Sequence, residues 1–195
     1  MAEGSGINKR TIYKIVAVGV IVIILLWTVL AYNGIVGKDQ NVNSKLSEIK
    51  NRYTVKLNVL PAMLSTLNNY TIYESGLLTN IASLRSQWMN QSNSGASAAE
   101  LSNTSDQLDR QLSQIVLTWE NYPDLKADAL FSQYMGEIVN QEEQLSYSRT
   151  NYNRAVQDYN TAIRSFPNSL LAGSFGYGEK TYWGTGIDDG TALNL

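Results

Sequence analysis

The sequence predicts an all-α protein: an N-terminal transmembrane helix followed by an antiparallel three-helix or four-helix up-and-down bundle. Three observations carry this. Residues 15–31, IVAVGVIVIILLWTVLA, contain no charge. Three later stretches repeat apolar residues every three to four positions, the period of a helix with one buried face. Val/Ile alternation at period two, the mark of a half-buried strand, is almost absent outside the tail. The resulting organisation is a flank at 1–11, a transmembrane helix at 12–32, a helical bundle at 33–167 and a Gly/aromatic tail at 168–195.

The first element is the anchor. Its uncharged run sits at the lower limit for crossing a bilayer core, and Ile12, Tyr13 and Lys14 extend it because a terminal lysine can snorkel to the interface. Tyr13, Trp27 and Tyr32 lie near the two ends, where amphipathic rings favour the headgroup zone. A cleaved signal peptide is the competing reading: Lys9, Arg10 and Lys14 form a basic leader, and Val29-Leu30-Ala31 fits a small-residue cleavage rule. The apolar run exceeds the usual h-region of about 7–15 residues, which favours a retained span. Lys38, Lys45, Lys50 and Arg52 follow the span and nearly balance the charges before it. The preceding charges are closer, so the N-terminus is expected inside the cell, the anchor in the cell (inner) membrane and the domain outside.

The second element is a long apolar stripe through Val42, Leu46, Ile49, Tyr53, Leu57, Leu60, Leu64, Leu67, Tyr70, Tyr73, Leu77, Ile81, Leu84 and Trp88. Its step of about 3.5 residues belongs to bundle or coiled-coil packing. Pro61 lacks an N–H and is expected to kink it, and residues 68–76 form a second weak point that would divide it into two helices. NQSNSGASAA at 90–99 is a loop. The next helix places Leu101, Ser105, Leu108, Leu112, Ile115, Trp119 and Tyr122 on one face and stops at Pro123. The last carries Phe131, Met135, Ile138, Glu142, Leu145, Arg149, Tyr152, Val156, Tyr159, Ile163 and Phe166 at alternating steps of four and three, and stops at Pro167. Long helices with short connections pack antiparallel.

Composition narrows the function. The chain has 195 residues, room for one domain plus an anchor, and its net charge is −2, from 15 basic and 17 acidic residues. No basic patch points to nucleic acid. Charged residues are 16%, below the usual quarter, and Ser, Thr, Asn and Gln fill the polar positions, which suits an extracytoplasmic or assembled protein. With neither cysteine nor histidine there is no disulfide, no thiolate nucleophile, no imidazole base and no His/Cys zinc site. No serine occupies a recognisable nucleophile elbow, and a Ser-Lys pair is the remaining hydrolase option. A non-enzymatic protein without a cofactor is expected.

Within the last stripe, Tyr152 and Tyr159 are core tyrosines one heptad apart, and the amides of Asn153 and Asn160 on the flank are expected to supply interhelical hydrogen bonds. Phe166 completes this core. Glu142 and Arg149 break the stripe. Seven positions apart, they meet less readily than an i,i+4 pair, so each is expected to find a partner on another helix. An inward carboxylate site for a metal would need more carboxylates and Glu-x-x-His pairs that the chain lacks. The tail holds Phe175, Tyr177, Tyr182 and Trp183, too many rings for a purely solvated end. They are expected to contact protein, with the bundle, a neighbouring subunit and the membrane interface as the open choices. Asp188-Asp189-Gly190 lacks the spacing of a calcium loop and reads as a solvated end.

These residues carry a likeness. Tyr152-Asn153-x-Ala155-Val156-x-x-Tyr159-Asn160-Thr161-x-Ile163-x-x-Phe166-Pro167, continuing into Ala172-Gly173-x-Phe175-Gly176-Tyr177, resembles the signature of LemA family proteins. Tyr122-Pro123-x-Leu125-Lys126-Ala127 and Tyr32-Asn33-Gly34-Ile35-Val36 resemble that family's turn and post-anchor segment. Glu142 and Arg149 fall where the family carries a Glu and an Arg. The chain departs at Val55-Lys56-Leu57-Asn58-Val59-Leu60-Pro61-Ala62-Met63, where the proline stays but an arginine, the aspartate and the asparagine of the family are gone, and at Tyr73-Glu74, where the family has His-Glu. The resemblance implies a single-span membrane protein with a helical bundle and no catalytic residues to carry over. Some such relatives, the MamQ type, act in forming magnetosome membranes. Others are associated with HtpX-type membrane metalloproteases.

The expected function is therefore a membrane-anchored scaffold that self-associates and organises or shapes a bilayer. The alternative is an adaptor for a membrane protein or such a protease. At about 1.5 Å per residue, residues 35–89 would extend about 80 Å if unbroken, against about 37 Å for residues 98–122. Unless the first stretch folds back, part of its stripe is uncovered. Leu46, Ile49 and Tyr53 are then the expected seam between copies.

Overall fold

The computed structural model describes residues 8–67, 75–121 and 123–184. Among them there are six helices and no strands: α1 (Lys9–Leu67), α2 (Ser75–Ser94), α3 (Ala98–Asn121), α4 (Pro123–Ala127), α5 (Ala129–Arg164) and α6 (Ser169–Ala172). Tyr70, Tyr73, Tyr122 and the Asp188-Asp189-Gly190 segment lie outside the described residues.

Local chemistry sets the helix ends. Gly95 takes φ +77°, a left-handed conformation that suits glycine, and the amide of Ala96 closes back on the Gln91 carbonyl at 3.0 Å to end α2. Two residues later Ser97 and Glu100 form a reciprocal cap. The Ser97 amide donates to Glu100 Oε2 at 2.9 Å, and the Glu100 amide donates to Ser97 Oγ at 3.3 Å. The Ser97 hydroxyl, which donates to Glu100 Oε2 at 2.8 Å, and next the Ser97 amide hold the Glu100 carboxyl below its usual value. Pro123 opens α4, where a missing N–H costs nothing. Asp128 caps α5 by accepting from the Phe131 amide at 3.0 Å. Pro61 is exposed, and α1 runs through it.

The chain forms two compact units, one from the residues up to Gln40 with Asp158–Glu179, the other from Asn41–Gln157 with the residues from Lys180 on. In the first unit, α1 begins with a run of exposed apolar side chains, from Ile12 at 46% to Leu30 at 71%. Only 6% of its most apolar window is buried, and this helix is long and apolar enough to cross a bilayer. Beyond the run, Ile35, Tyr159, Ile163 and Ala172 form a small core.

The second unit is the bundle. Arg85 Nε donates to the Leu57 carbonyl at 2.9 Å, and Lys50 Nζ to the Ser92 carbonyl at 3.3 Å. Position rises along α1 as it falls along α2, so the two are antiparallel. The α2–α3 pair is antiparallel as well: Trp88 Nε1 donates to Ser105 Oγ at 3.0 Å and Thr104 Oγ1 to Gln91 Oε1 at 2.8 Å. The core holds Leu57, Leu60, Met63, Ile81, Leu101, Leu108, Leu112, Ile115, Phe131, Met135 and Leu145.

Two expectations are corrected here. Ile49 and Tyr53 have 0% exposure and Leu46 is half-buried, so this stripe is not a free seam. The first stretch does fold back: α1 ends at Leu67, α2 returns antiparallel, and the stripe is covered within one chain. Phe166 is 81% exposed rather than in the core, because α5 ends at Arg164 and the helical period no longer directs its side chain inward.

Candidate functional site

At mid-bundle four charged side chains from three helices close a ring. Lys56 of α1, with 2% of its side chain exposed, donates to Asp109 Oδ1 of α3 at 2.7 Å and also to Glu142 of α5. Arg149 of α5 places Nη2 2.8 Å from Asp109 Oδ2 and Nη1 3.1 Å from Glu142 Oε1. Each cation therefore bridges both anions, and the formal charge sums to zero. The Tyr53 hydroxyl donates to Asp109 Oδ2 at 2.6 Å and accepts from Arg149. A buried charge is tolerated only with partners of this kind.

Glu142 and Arg149 thus meet each other as well as partners on other helices. Seven residues bring both to one helix face, and the long arginine side chain leans toward the helix N-terminus, where Glu142 lies. Lys56 and Asp109 were not legible as members. Each sits one position off an apolar stripe, beside Leu57 and Leu108, and reads as a flank. The available signal was the pair of charges interrupting the α5 stripe, which calls for facing charges at the same level of α1 and α3.

The ring holds its members in their resting charge states. Burial alone would raise the Asp109 carboxyl, but the Lys56 charge and hydrogen bond, then Tyr53 and Arg149, outweigh it and leave the group below its ordinary value. Burial, and next the Asp109 charge, push the Tyr53 phenol well above its usual value. Burial opposes the Arg149 cation, yet Tyr53, Asp109 and Glu142 together raise it further. Asp106 nearby is pushed up by burial.

An aromatic stack adjoins the ring. Tyr53 stacks on Trp88 at 5.1 Å and on Trp183 at 6.3 Å, and Tyr152 meets Trp183 edge-on at 6.4 Å. Trp183, 5% exposed, is seated by its own backbone. Its amide donates to Asn153 Oδ1 at 2.8 Å, and its carbonyl accepts from Asn153 Nδ2 at 3.2 Å. The Tyr152 hydroxyl donates to the Thr181 carbonyl at 2.9 Å, and the Gly184 amide to Ser102 Oγ of α3 at 2.9 Å. The tyrosine–asparagine pair at 152–153 therefore binds the tail rather than bridging helices. In the first unit Tyr159 does likewise, donating to the Gly178 carbonyl at 3.0 Å, while Asn160 is buried. Phe175 and Tyr177 pack on Tyr32 at 5.1 Å and 6.1 Å, and Tyr182 is half-buried.

On the outer side of the ring, α3 and α5 leave a groove of about 510 Å³. Leu112, Val116, Ile138 and Val139 make it apolar, and Lys56, Asp109, Glu142 and Glu143 line its polar end. Val139 at 55% and Leu117 of α3 at 60% are exposed.

Residues 45–192 match the sequence model of the LemA family. The match takes in the charge ring and Trp183, while the apolar run at 15–31 lies before it. A Protein LemA from Metamycoplasma hominis is 30% identical over 133 residues, covering 68% of this chain and 58% of that protein. The chain thus aligns with less than two thirds of that relative's length. The match over most of the sequence, together with the all-helical bundle, places this chain in the LemA family.

Proposed function

We propose that this protein is a non-enzymatic, membrane-anchored helical scaffold that assembles with further copies of itself and thereby organises the membrane around it. The observation that carries the reading is the apolar groove between α3 and α5, bordered by the exposed Val139. Exposed apolar surface of this kind marks protein contacts, and a helix laid into a groove is a recurrent way of covering it. A shared membrane raises the effective concentration of copies for one another. The near-zero net charge keeps their repulsion low. The ring supports the same reading, because it keeps the Asp109 carboxyl charged and the Tyr53 phenol neutral, so neither group is poised to exchange a proton.

The test is the mass of the full-length protein in lipid nanodiscs or mild detergent, with and without the groove-lining changes Val116→Asp and Val139→Asp. A large uniform homo-oligomer that falls to a smaller species in the double variant supports the scaffold. A monomer in both sinks it. Glu143 at the groove's polar end, outside the neutral ring, favours a second reading, an adaptor whose groove takes a basic helix of another membrane protein, a membrane protease included. That reading expects a small assembly with a distinct protein bound.

A further inference from the structure

The first unit carries apolar side chains that its own core leaves out. Phe166 is 81% exposed, Leu170 66% and Phe175 44%. They belong to one compact turn between the end of α5 and Gly178, and the turn is not loose. The Ala172 and Leu171 amides donate to the Asn168 carbonyl, each at 2.9 Å, the Tyr177 amide to the Ala172 carbonyl at 2.9 Å, and Asn168 Nδ2 to the Ala162 carbonyl at 3.2 Å. A turn built this firmly holds Phe166 and Leu170 outward at a cost that an apolar surrounding would remove.

The position of the turn identifies that surrounding. Tyr32 closes the exposed apolar run of α1, and its ring meets Phe175 edge-on with centroids 5.1 Å apart. Tyr177 lies 6.1 Å from the same ring. The turn is therefore fixed at the level where the apolar run stops, and the Phe175 ring continues the apolar surface of that run. Arg164 and Glu179, at the two ends of the turn, pair at 2.7 Å and leave no net charge to favour a charged partner.

We infer that Phe166, Leu170 and Phe175 form an interfacial foot that inserts into the lipid surface beside the span. Aromatic and aliphatic side chains at that depth bury their apolar parts at the headgroup boundary. The foot would fix the angle at which α1 leaves the bilayer, because Tyr32 and Phe175 tie it to the helix. This rests on the reading of residues 12–32 as a membrane span.

The sequence makes the test clean, since it contains no cysteine. Full-length single-cysteine variants Phe166→Cys and Leu170→Cys carry a nitroxide in nanodiscs of phosphatidylcholine, with Ile24→Cys as the lipid reference and Asn103→Cys as the aqueous one. Collisions with oxygen and with a water-soluble nickel complex are measured by spin relaxation. The expected result is loss of most nickel collisions at 166 and 170 relative to 103, with oxygen collisions kept. Nickel access at both positions equal to that at 103, while 24 reads lipid, overturns the foot and leaves the span intact. Shielding from both reagents means protein covers the turn, and overturns it too. An aqueous reading at 24 removes the span and the foot together.

Discussion

Lys56 Nζ lies 2.7 Å from Asp109 Oδ1 with 2% of the lysine side chain exposed, so a cation of the first long helix is neutralised inside the bundle by an anion of the third. Removing one partner of such a pair leaves an uncompensated charge. Lys56→Met is expected to destabilise the bundle by about 3–5 kcal/mol. Adding Asp109→Asn should cost clearly less than the sum of the two single changes. Thermal unfolding followed by circular dichroism in detergent checks both, and additive losses would show that the ring is not coupled.

Asp109 also sets an acid limit. Its native pKa is lowered, so it contributes stability that is complete above the unfolded carboxylate value of about 3.9. That contribution is lost as pH falls through the depressed native value. Asp106 works in the opposite sense. Its native pKa is raised by burial, so the ionised form is disfavoured in the folded state and stability falls as pH rises through that value. Asp106→Asn is expected to raise the melting temperature at pH 7, and Asp109→Asn to lower it and flatten the acid limb. The same direction for both variants would contradict this assignment.

At the alkaline end Tyr152 is the reporter. Burial pushes its phenol up to about 12, against an ordinary value near 10. A raised phenol keeps its proton in the folded state, so its contribution is present below pH 10 and is lost between about 10 and 12. Tyr53 is shifted the same way by burial. Melting temperatures should fall steeply over that window, with a shallower fall in Tyr152→Phe. An unchanged slope would place the alkaline limit elsewhere.

Trp183 is the seat of the tail. Trp183→Ala removes a buried ring from between Tyr53 and Tyr152 and is expected to cost about 3–5 kcal/mol, the range for emptying an aromatic core site. Asn153→Ala removes two hydrogen bonds to the same residue and should cost about 1–3 kcal/mol. In both variants hydrogen exchange is expected to quicken first at 181–184. Uniform quickening through the helices would show that this segment has no separate hold.

Much of the bundle is written in periodicity. Leu101, Leu108, Leu112 and Ile115, and likewise Phe131, Met135, Leu145 and Val156, are buried where their spacing puts them, because the 3.6-residue turn is a property of a single helix. The stretch at 90–99 that reads as a loop is shortened to 95–97, because Gly95 ends α2 and Ser97 with Glu100 starts α3 through purely local bonds. What one helix cannot specify is which face another helix covers. The return of α2 after Leu67 decided that Ile49 and Tyr53 are interior, and with it that Lys56 and Asp109, each one step off a stripe, meet Glu142 and Arg149. The hold of Asn153 on Trp183 spans 30 residues, and the edge-on contact of Tyr32 with Phe175 spans the length of the bundle in sequence. Local spacing carries no information about such separations. They exist only once long-range packing has brought the faces together.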